Sequence, residues 1–337
     1  MTERASTLNV NSIRIDARSI PVPDSISPEA QAIVQLLVGD DGVPVNSLYT
    51  MPNPSDRAGW LALQAMTERH YAAISGKINF SLRSKAETLA IGDARVHVAI
   101  PATYSDPHSA IIDLHGGAFV FGGGEACLVG ARMQADQHGI RCYGVDYRMP
   151  PEAPYPAALD DCLATYRYVL ERHDPVRIVL HGRSAGANLA AATLLRAKDE
   201  GLPLPAALVL LSPEVDLTES GDSFNVNRMV DVVLPGSLMA CNLLYAGGAD
   251  LLHAYLSPLF GDLKGFPPTF LQCGTRDLFL SNTVRMHRAL RRAGVPPDLN
   301  VFEAMPHGGF MGETPEDCEL LEEIRQFVRR QLQAAVT

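Results

Sequence analysis

The sequence predicts an α/β fold, in which a mainly parallel central sheet is flanked by helices and carries a helical cap. Short apolar runs rich in β-branched residues alternate with longer segments of helical spacing over most of the chain. A glycine-flanked serine, Gly182-Arg183-Ser184-Ala185-Gly186, joins one such run to an alanine-rich helical segment. An apolar stretch after residue 215 interrupts the alternation and is long enough to form part of a cap.

The N-terminal part of the chain is predicted to be helical after a loosely structured start of roughly 20 residues. A helix is expected over Ser27–Val38, since a serine can cap it and Pro28 suits its first turn. A second helix is expected over Arg57–Ser75, with Trp60 on its apolar side. Both helices precede the first predicted strand, near Ala86.

The main domain is predicted to cover residues 86–337, where strands and helices alternate. The strands are expected near Ala86 and over Arg95–Ile100, Ala110–Leu114, Arg141–Val145, Ile178–Leu180, Ala207–Leu211, Thr269–Cys273 and Leu299–Phe302. The helices are expected over Tyr155–Arg172, Ala185–Lys198, Leu280–Ala293 and Pro315–Ala335. The last of these has acidic residues in its first turn and arginines near its end, which matches the helix dipole.

Residues 216–258 break this rhythm with a long stretch of apolar side chains, among them Met229, Leu238 and Leu244. We interpret the stretch as a second cap segment inserted into the main domain, because it is longer than an ordinary connection between a helix and a strand. An ordinary crossover helix with a long loop is the alternative.

The composition is that of a globular protein large enough for one α/β domain and an accessory element. The chain has 337 residues, of which 47% are hydrophobic and 20% charged. Its net charge of -10 argues against a nucleic-acid partner and against attraction to anionic membranes. No apolar run approaches the roughly 18 residues of a membrane span, and the polar start lacks the apolar core of a secretory signal. A cytoplasmic protein is expected.

The six cysteines are spread along the chain and contain no C-x-x-C pair. Most have apolar neighbours, so small buried core residues are expected rather than disulfides or a metal site. The sequence also lacks a P-loop pattern, and Gly122-Gly123-Gly124 does not match a dinucleotide fingerprint. We therefore expect neither a cofactor nor a bound metal ion.

Ser184 is the predicted nucleophile. A G-x-S-x-G match alone is common by chance, but here it lies between a predicted strand and a predicted helix. The glycines allow a sharp turn that leaves the serine at its tip, and the N-terminus of the following helix offers N–H donors to developing negative charge. This context favours acyl transfer by a serine.

A second glycine-rich turn lies upstream, at His115-Gly116-Gly117-Ala118, directly after a predicted strand. Glycine N–H groups can approach a carbonyl oxygen without obstruction by a side chain. The N–H groups of Gly116 and Gly117, together with that of Ala185, are the predicted oxyanion hole. A turn that only connects two elements is the alternative, and a structural role is expected for His115.

The general base and its orienting acid are expected late in the chain, each on a loop after a strand. His307 follows the final predicted strand and precedes the last helix, so we predict it as the base. Asp277 follows the Thr269–Cys273 strand and is the predicted acid, while Asp216 is a rival after an earlier strand.

Together these residues resemble those of the bacterial hormone-sensitive-lipase-like esterases, a family of α/β-hydrolases. The resemblance runs from about residue 110 to the end of the chain and covers His115–Gly117, Asp146–Glu152, Pro156–Asp161, the Ser184 turn, Ser212-Pro213, Asp277 and His307-Gly308. It implies a cap built from the N-terminal helices, within residues 1–85, and the 216–258 insertion. It also implies hydrolysis of carboxylic esters with short or medium acyl groups and, in many members, a homodimer.

Two positions depart from the pattern of that family. The glycine-rich turn has Ala118 where a third glycine is usual, which leaves the backbone donors in place and could change the shape of the pocket. The serine is preceded by Arg183 where aspartate is common, which replaces a carboxylate by a cation. A surface-facing arginine without a catalytic role is the favoured interpretation.

The leading hypothesis is a serine carboxylesterase that acts through an acyl-enzyme intermediate on a small-molecule ester. A lactone or carbamate hydrolase, or an acyltransferase, could use the same residues. A non-catalytic small-molecule receptor on the same fold is a third hypothesis, and the presence of His307 argues against it.

Overall fold

An eight-stranded sheet organises the part of the chain that the computed structural model describes, Ile13 and residues 16–334. The strands are β1 (Lys85–Ile91), β2 (Ala94–Ile100), β3 (Ala110–Leu114), β4 (Arg141–Asp146), β5 (Ile178–Arg183), β6 (Ala207–Leu211), β7 (Thr269–Gly274) and β8 (Pro297–Phe302). The helices are α1 (Pro28–Leu36), α2 (Arg57–Asn79), α3 (Glu125–His138), α4 (Ala157–Leu170), α5 (Ala185–Asp199), α6 (Ser223–Val226), α7 (Met239–Ala246), α8 (Leu280–Arg292) and α9 (Pro315–Ala334).

The spatial order of the strands is β1-β2-β4-β3-β5-β6-β7-β8. The pairs β1–β2 and β2–β4 are antiparallel, and every other neighbouring pair is parallel, so the predicted mainly parallel sheet is confirmed. The carboxyl ends of parallel strands meet at one edge, and the loops that follow them gather there. Because Leu114 pairs with Gly182 and Gly182 with Leu210, the turns after β3, β5 and β6 are neighbours.

Helices cover both faces of the sheet, as predicted. Successive strand residues point to opposite faces: Ile112 belongs to the core cluster that includes residues of α4, α5 and α8, whereas Ile111 belongs to the cluster that includes residues of α3 and α9. On the second face the rings of Phe270 and Phe327 lie 5.4 Å apart between centroids. Complete burial of such a side chain stabilises the fold by about 1.5–3 kcal/mol.

Most predicted elements occur within a few residues of their expected bounds. Ser27 caps α1 by accepting a hydrogen bond from the Ala30 N–H at 3.1 Å. Helix α3 is not among the predicted elements. Its buried residues are small, Cys127, Val129, Ala131 and Ala135, so its apolar periodicity is weak, and the three glycines before it indicate a loop. Most of the predicted loose start, and the last residue of the predicted final helix, lie outside the described residues.

The N-terminal helices pack against residues 216–258, which we call the inserted segment. Trp60 of α2 is fully buried in one apolar cluster with Leu238 and Leu244. Val34 of α1 belongs to another with Val232. Both clusters lie at the carboxyl edge of the sheet, since they also contain residues of the loops after β7 and β8. That the two segments act as a cap, with boundaries near residues 85, 216 and 258, stays a prediction.

Five of the six cysteines are buried, in agreement with the expected core positions, and Cys318 is exposed. Among the described residues, no helix combines the length and the apolar character needed to cross a membrane.

Candidate active site

Ser184 occupies the sharp turn between β5 and α5. Its φ of +56° is rare for an L-residue, and it is 6% exposed. The flanking glycines are required for the turn to close. A Cβ on Gly182 would lie 2.3 Å from the carbonyl oxygen of Gly186, and a Cβ on Gly186 would lie 1.9 Å from that of Leu114. The turn therefore holds the serine at the carboxyl edge of the sheet.

The structure brings the predicted nucleophile, base and acid into one hydrogen-bonded chain. Nε2 of His307 lies 3.0 Å from Oγ of Ser184, and Nδ1 of His307 lies 3.2 Å from Oδ1 of Asp277. Asp277 is fully buried and His307 is 8% exposed. A carboxylate at Nδ1 favours the tautomer that has its proton there, which leaves Nε2 free to accept the serine proton.

Two loops carry the predicted base and the predicted acid, and they cross closely. We call residues 275–279, after β7, the acid loop, and residues 303–310, after β8, the base loop. A Cβ on Gly274 would lie 1.8 Å from the carbonyl oxygen of Met305, so only glycine permits this crossing. The ring of Phe279 stands edge-on to the ring of His307, with 4.9 Å between centroids. On the base loop, the Gly308 N–H donates to Oγ of Ser212 at 3.3 Å.

Two side chains of the inserted segment also hold the acid loop, and neither is among the predicted site residues. Nδ2 of Asn227 donates to the carbonyl oxygens of Thr275 and Asp277 at 3.1 and 2.7 Å. The carboxylate of Asp231 accepts the Leu278 N–H at 2.8 Å. The one local signal for Asp231 is its place as a single charge in an apolar run of residues 229–234.

Residues 115–119, which we call the glycine turn, lie directly beside the nucleophile. A Cβ on Gly116 would lie 3.1 Å from the carbonyl oxygen of Arg183 and 3.3 Å from Cβ of Ser184. Gly117 has a φ of +119°, and its carbonyl oxygen accepts the N–H groups of Val120 and Phe121. No acceptor within the described residues binds the N–H groups of Gly116 and Gly117, so both are free to donate to a substrate oxygen.

His115 supports the glycine turn with a neutral ring. Its Nδ1 donates to the carbonyl oxygen of Gly116 at 2.8 Å, and its ring stacks on Tyr147 at 4.0 Å between centroids. The Tyr147 hydroxyl donates to the carbonyl oxygen of His115 at 2.9 Å. Burial lowers the pKa of His115, which favours the neutral imidazole. These contacts are those of a structural residue rather than of a base.

Replacement of Gly117 by alanine is expected to lower kcat about 10²- to 10³-fold for an ester substrate, with a smaller change in KM. The added Cβ would lie 2.2 Å from the carbonyl oxygen of Phe121, so the turn and its N–H donors must move. Steady-state kinetics test this. Gly124→Ala is the matched control, because Gly124 also has a positive φ, +62°, but a Cβ there meets nothing within 4 Å. The control should lose about 1–3 kcal/mol of stability and keep the wild-type kcat. Equal kcat values for the two variants would contradict the assignment of Gly117 to the oxyanion hole.

His115, Cys127 and Asp146 have potential metal-ligand atoms within 4.8 Å of one another. Asp146 is already engaged, since its Oδ1 accepts the Gly124 N–H at 3.0 Å and its Oδ2 lies 3.5 Å from Nε2 of His97. Burial opposes its ionisation, but contacts with His97, with the Gly124 N–H and with Arg95 lower the pKa of Asp146 to about 2. Burial raises the pKa of the Cys127 thiol, so it stays protonated. We therefore assign structural contacts, rather than metal binding, to the three residues of this cluster.

The rival acid, Asp216, lies in another network. Its carboxylate accepts hydrogen bonds from Thr218 and Ser220 and forms an ion pair with Arg285. It is therefore Asp277, and not Asp216, that the structure brings to the histidine. Arg183 is exposed, whereas Ala118 is 8% exposed and adopts a φ of +51°.

Comparison with known proteins places this arrangement in a family. A profile of the alpha/beta hydrolase fold matches residues 111–311. An acetyl-hydrolase of Streptomyces hygroscopicus is 35% identical over 199 residues, which cover 58% of this chain and 67% of the relative.

Solved structures agree with this likeness. The crystal structure of esterase E25 superposes with a TM-score of 0.88 at 35% identity, over 96% of this chain and 99% of the other. An esterase from the bacterial hormone-sensitive lipase family superposes with a TM-score of 0.76 at 30% identity, over 91% and 99%. The chain thus belongs to the alpha/beta hydrolase fold family, among the esterases of bacterial hormone-sensitive-lipase type, and is a carboxylic ester hydrolase.

Proposed function

We propose that the chain is a serine carboxylesterase that hydrolyses short- to medium-chain acyl esters through an acyl-enzyme intermediate. The observation that carries the proposal is the hydrogen-bonded chain from Oγ of Ser184 through His307 to Asp277, with free N–H groups of the glycine turn beside it. A nucleophile, a base, an orienting acid and oxyanion donors are the parts that acyl transfer requires.

In the acylation half, Oγ of Ser184 attacks the ester carbonyl carbon while Nε2 of His307 takes the hydroxyl proton. The carbonyl π electrons move to the oxygen, which accepts hydrogen bonds from the N–H groups of Gly116, Gly117 and Ala185. Asp277 stabilises the imidazolium. The tetrahedral intermediate then collapses, the C–O bond to the alcohol breaks, and the leaving oxygen takes the proton from Nε2.

In the deacylation half, water repeats the roles of the serine. His307 takes a proton from the water as its oxygen attacks the acyl carbon. The same N–H groups bind the second oxyanion. Collapse breaks the bond to Oγ, which takes the proton back from Nε2, and the carboxylic acid leaves. The net reaction consumes one ester and one water and yields one acid and one alcohol.

An apolar cluster borders this site, and we propose it as the wall of the acyl pocket. It combines side chains of α2, of the glycine turn and the loop after it, of α7 and the residue before it, and of the acid loop: Trp60, Leu63, Ala118, Phe121, Leu238, Leu244, Leu278 and Phe279. Most of them are buried, so the space left for an acyl chain is small. This favours short acyl groups, as does the likeness to a relative named acetyl-hydrolase.

A panel of p-nitrophenyl esters tests the proposed specificity. We expect kcat/KM to be highest for acetyl to hexanoyl esters and to fall by at least about tenfold for the decanoyl ester, because a longer chain must displace buried side chains. Colorimetric initial rates at several substrate concentrations give the comparison. A decanoyl ester turned over as fast as the butyryl ester would contradict a short pocket.

Lactones and aryl carbamates belong in the same panel, because the same residues could act on them. A kcat/KM for either class above that of every simple ester would contradict the ester assignment while leaving the nucleophile untouched. A transfer of the acyl group to added alcohols that exceeds hydrolysis would indicate an acyltransferase instead.

A further inference from the structure

Asp231 is a buried carboxylate that acyl transfer by the three predicted residues does not require. It lies in the inserted segment, within an apolar run from Met229 to Leu234, and is 0% exposed. A carboxylate is costly to bury unless its oxygens are hydrogen-bonded. The hydrogen-bond donors of Asp231 therefore show which contacts offset the burial of its carboxylate.

The carboxylate of Asp231 binds the backbones of both loops that carry the base and the acid. Its Oδ2 accepts the Leu278 N–H of the acid loop at 2.8 Å. Both of its oxygens lie 3.3 Å from the N–H of His307 on the base loop. Its Oδ1 also accepts the N–H groups of Val233 and Leu234, which fixes the carboxylate in its own turn. One side chain thus joins three segments that are distant in sequence.

The carboxylate of Asp231 interacts electrostatically with the ionisable residues of the predicted site. Asp277 and His307 are the ionisable groups whose charges act most strongly on it, and no lysine or arginine within the described residues forms an ion pair with it. Burial and the charge of Asp277 raise the pKa of Asp231 to about 6, while His307 and the N–H groups of Leu234 and Leu278 oppose the rise. The ionised form of Asp231 favours the imidazolium that forms during acyl transfer.

We propose that Asp231 is a positioning residue, which holds the acid loop and the base loop in register and gives the imidazolium of His307 a second nearby negative charge. The proposal rests on the proposed serine mechanism. It extends that mechanism by making the inserted segment part of the acid–base machinery and not only a wall above it. A misplacement of about 1 Å in such a site can cost roughly 10²-fold in rate.

Asp231→Asn is the decisive variant. The remaining carbonyl oxygen can still accept the N–H groups of Val233 and Leu234, but the new NH₂ group faces the N–H groups of Leu278 and His307 and cannot accept them. We expect kcat to fall about 10- to 100-fold while KM changes less than about threefold. The acid limb of kcat/KM against pH should move to lower pH, because the imidazole loses a negative neighbour.

Asp216→Asn is the matched control. Asp216 is equally buried, lies in the same inserted segment and also accepts several hydrogen bonds, but none of its partners belongs to the base loop or the acid loop. We expect a loss of thermal stability and an acid limb at the wild-type pH. A shift of the limb in this control would overturn the proposal, because burial alone would then explain the effect.

The remaining outcomes separate this proposal from the serine mechanism. Suppose that Ser184→Ala abolishes turnover, while Asp231→Asn has the wild-type kcat and its acid limb of kcat/KM lies at the wild-type pH. The positioning role is then wrong and the serine mechanism stands. A fall in kcat without the shifted limb would mean that Asp231 only holds the fold, which also overturns the proposal. If Ser184→Ala is fully active, the serine mechanism itself fails.

Carbon-13 NMR of the wild-type aspartate carboxyl groups keeps the proposal testable even if Asp231→Asn does not fold. Through the pH range in which His307 takes up its proton, the carboxyl resonance of Asp231 should shift together with the imidazole, whereas that of Asp216 should not. A carboxyl resonance of Asp231 whose chemical shift stays constant while His307 takes up its proton would overturn the proposal.

Discussion

Replacement of Ser184 by alanine is expected to lower kcat for p-nitrophenyl butyrate by on the order of 10⁶-fold. The variant retains the oxyanion donors and the base, but no nucleophile lies near Nε2 of His307. Its fold should persist, because alanine meets the same backbone strain at a φ of +56° that serine already bears and only the hydrogen bond to His307 is lost. Initial rates and a thermal melt measure the two effects separately.

A fluorophosphonate probe gives a second readout of the same prediction. The probe should label the wild-type protein at Ser184 and leave Ser184→Ala unlabelled, as read by mass spectrometry of peptides. Ser109→Ala is the matched control, because Ser109 is also buried and its Oγ donates to Asp106 at 2.6 Å, away from the site. Residual activity of Ser184→Ala within about 10²-fold of the wild type would reject the serine as nucleophile.

Replacement of Asp277 by asparagine is the second large effect, with an expected fall in kcat of about 10⁴-fold. The amide NH₂ would donate toward Nδ1 of His307, so the ring would place its proton on Nε2. That nitrogen lies 3.0 Å from Oγ of Ser184 and could then no longer accept the serine proton. The loss should appear in kcat, since Asp277 is fully buried and out of reach of a substrate.

The comparison with Asp216→Asn decides between the two candidate acids. The rival variant breaks the contacts to Thr218, Ser220 and Arg285 but leaves the histidine untouched, so its kcat should stay within about threefold of the wild type. A larger loss in Asp216→Asn than in Asp277→Asn would reverse the assignment. Stability measured alongside separates a folding defect from a defect in chemistry.

The candidate site was largely predictable because its signals are local. Gly182 is required by a contact inside the turn, with the carbonyl oxygen of Gly186, and Gly186 by a contact with Leu114 on the neighbouring strand β3, so a sequence that makes this turn carries both glycines. The signals for His307 and Asp277 were also local. Each residue follows a predicted strand, and parallel strands end at one edge of the sheet. The structure places their side chains within hydrogen-bond distance, and their roles stay proposals until the variants are measured.

The missed elements lacked such local signals. Helix α3 uses small residues where it faces the sheet, and a weak apolar pattern after three glycines resembles a loop. Asp231 meets partners that lie 47 and 76 positions away in sequence, so its contacts arise only when the inserted segment has docked. Its only sequence signal was a single charge in an apolar run, and that pattern does not predict which groups the carboxylate will contact.

By itself the sequence determined the α/β class and the glycine turn, and it predicted the order of nucleophile, acid and base, because turn geometry and strand–helix alternation depend mostly on residues close together in the chain. Tertiary structure alone decided the strand order and the position of Asp231 between two loops, and it placed Asp277, rather than its rival Asp216, beside the histidine. Those outcomes depend on packing between distant segments, where small differences in burial and hydrogen bonding select one partner among several.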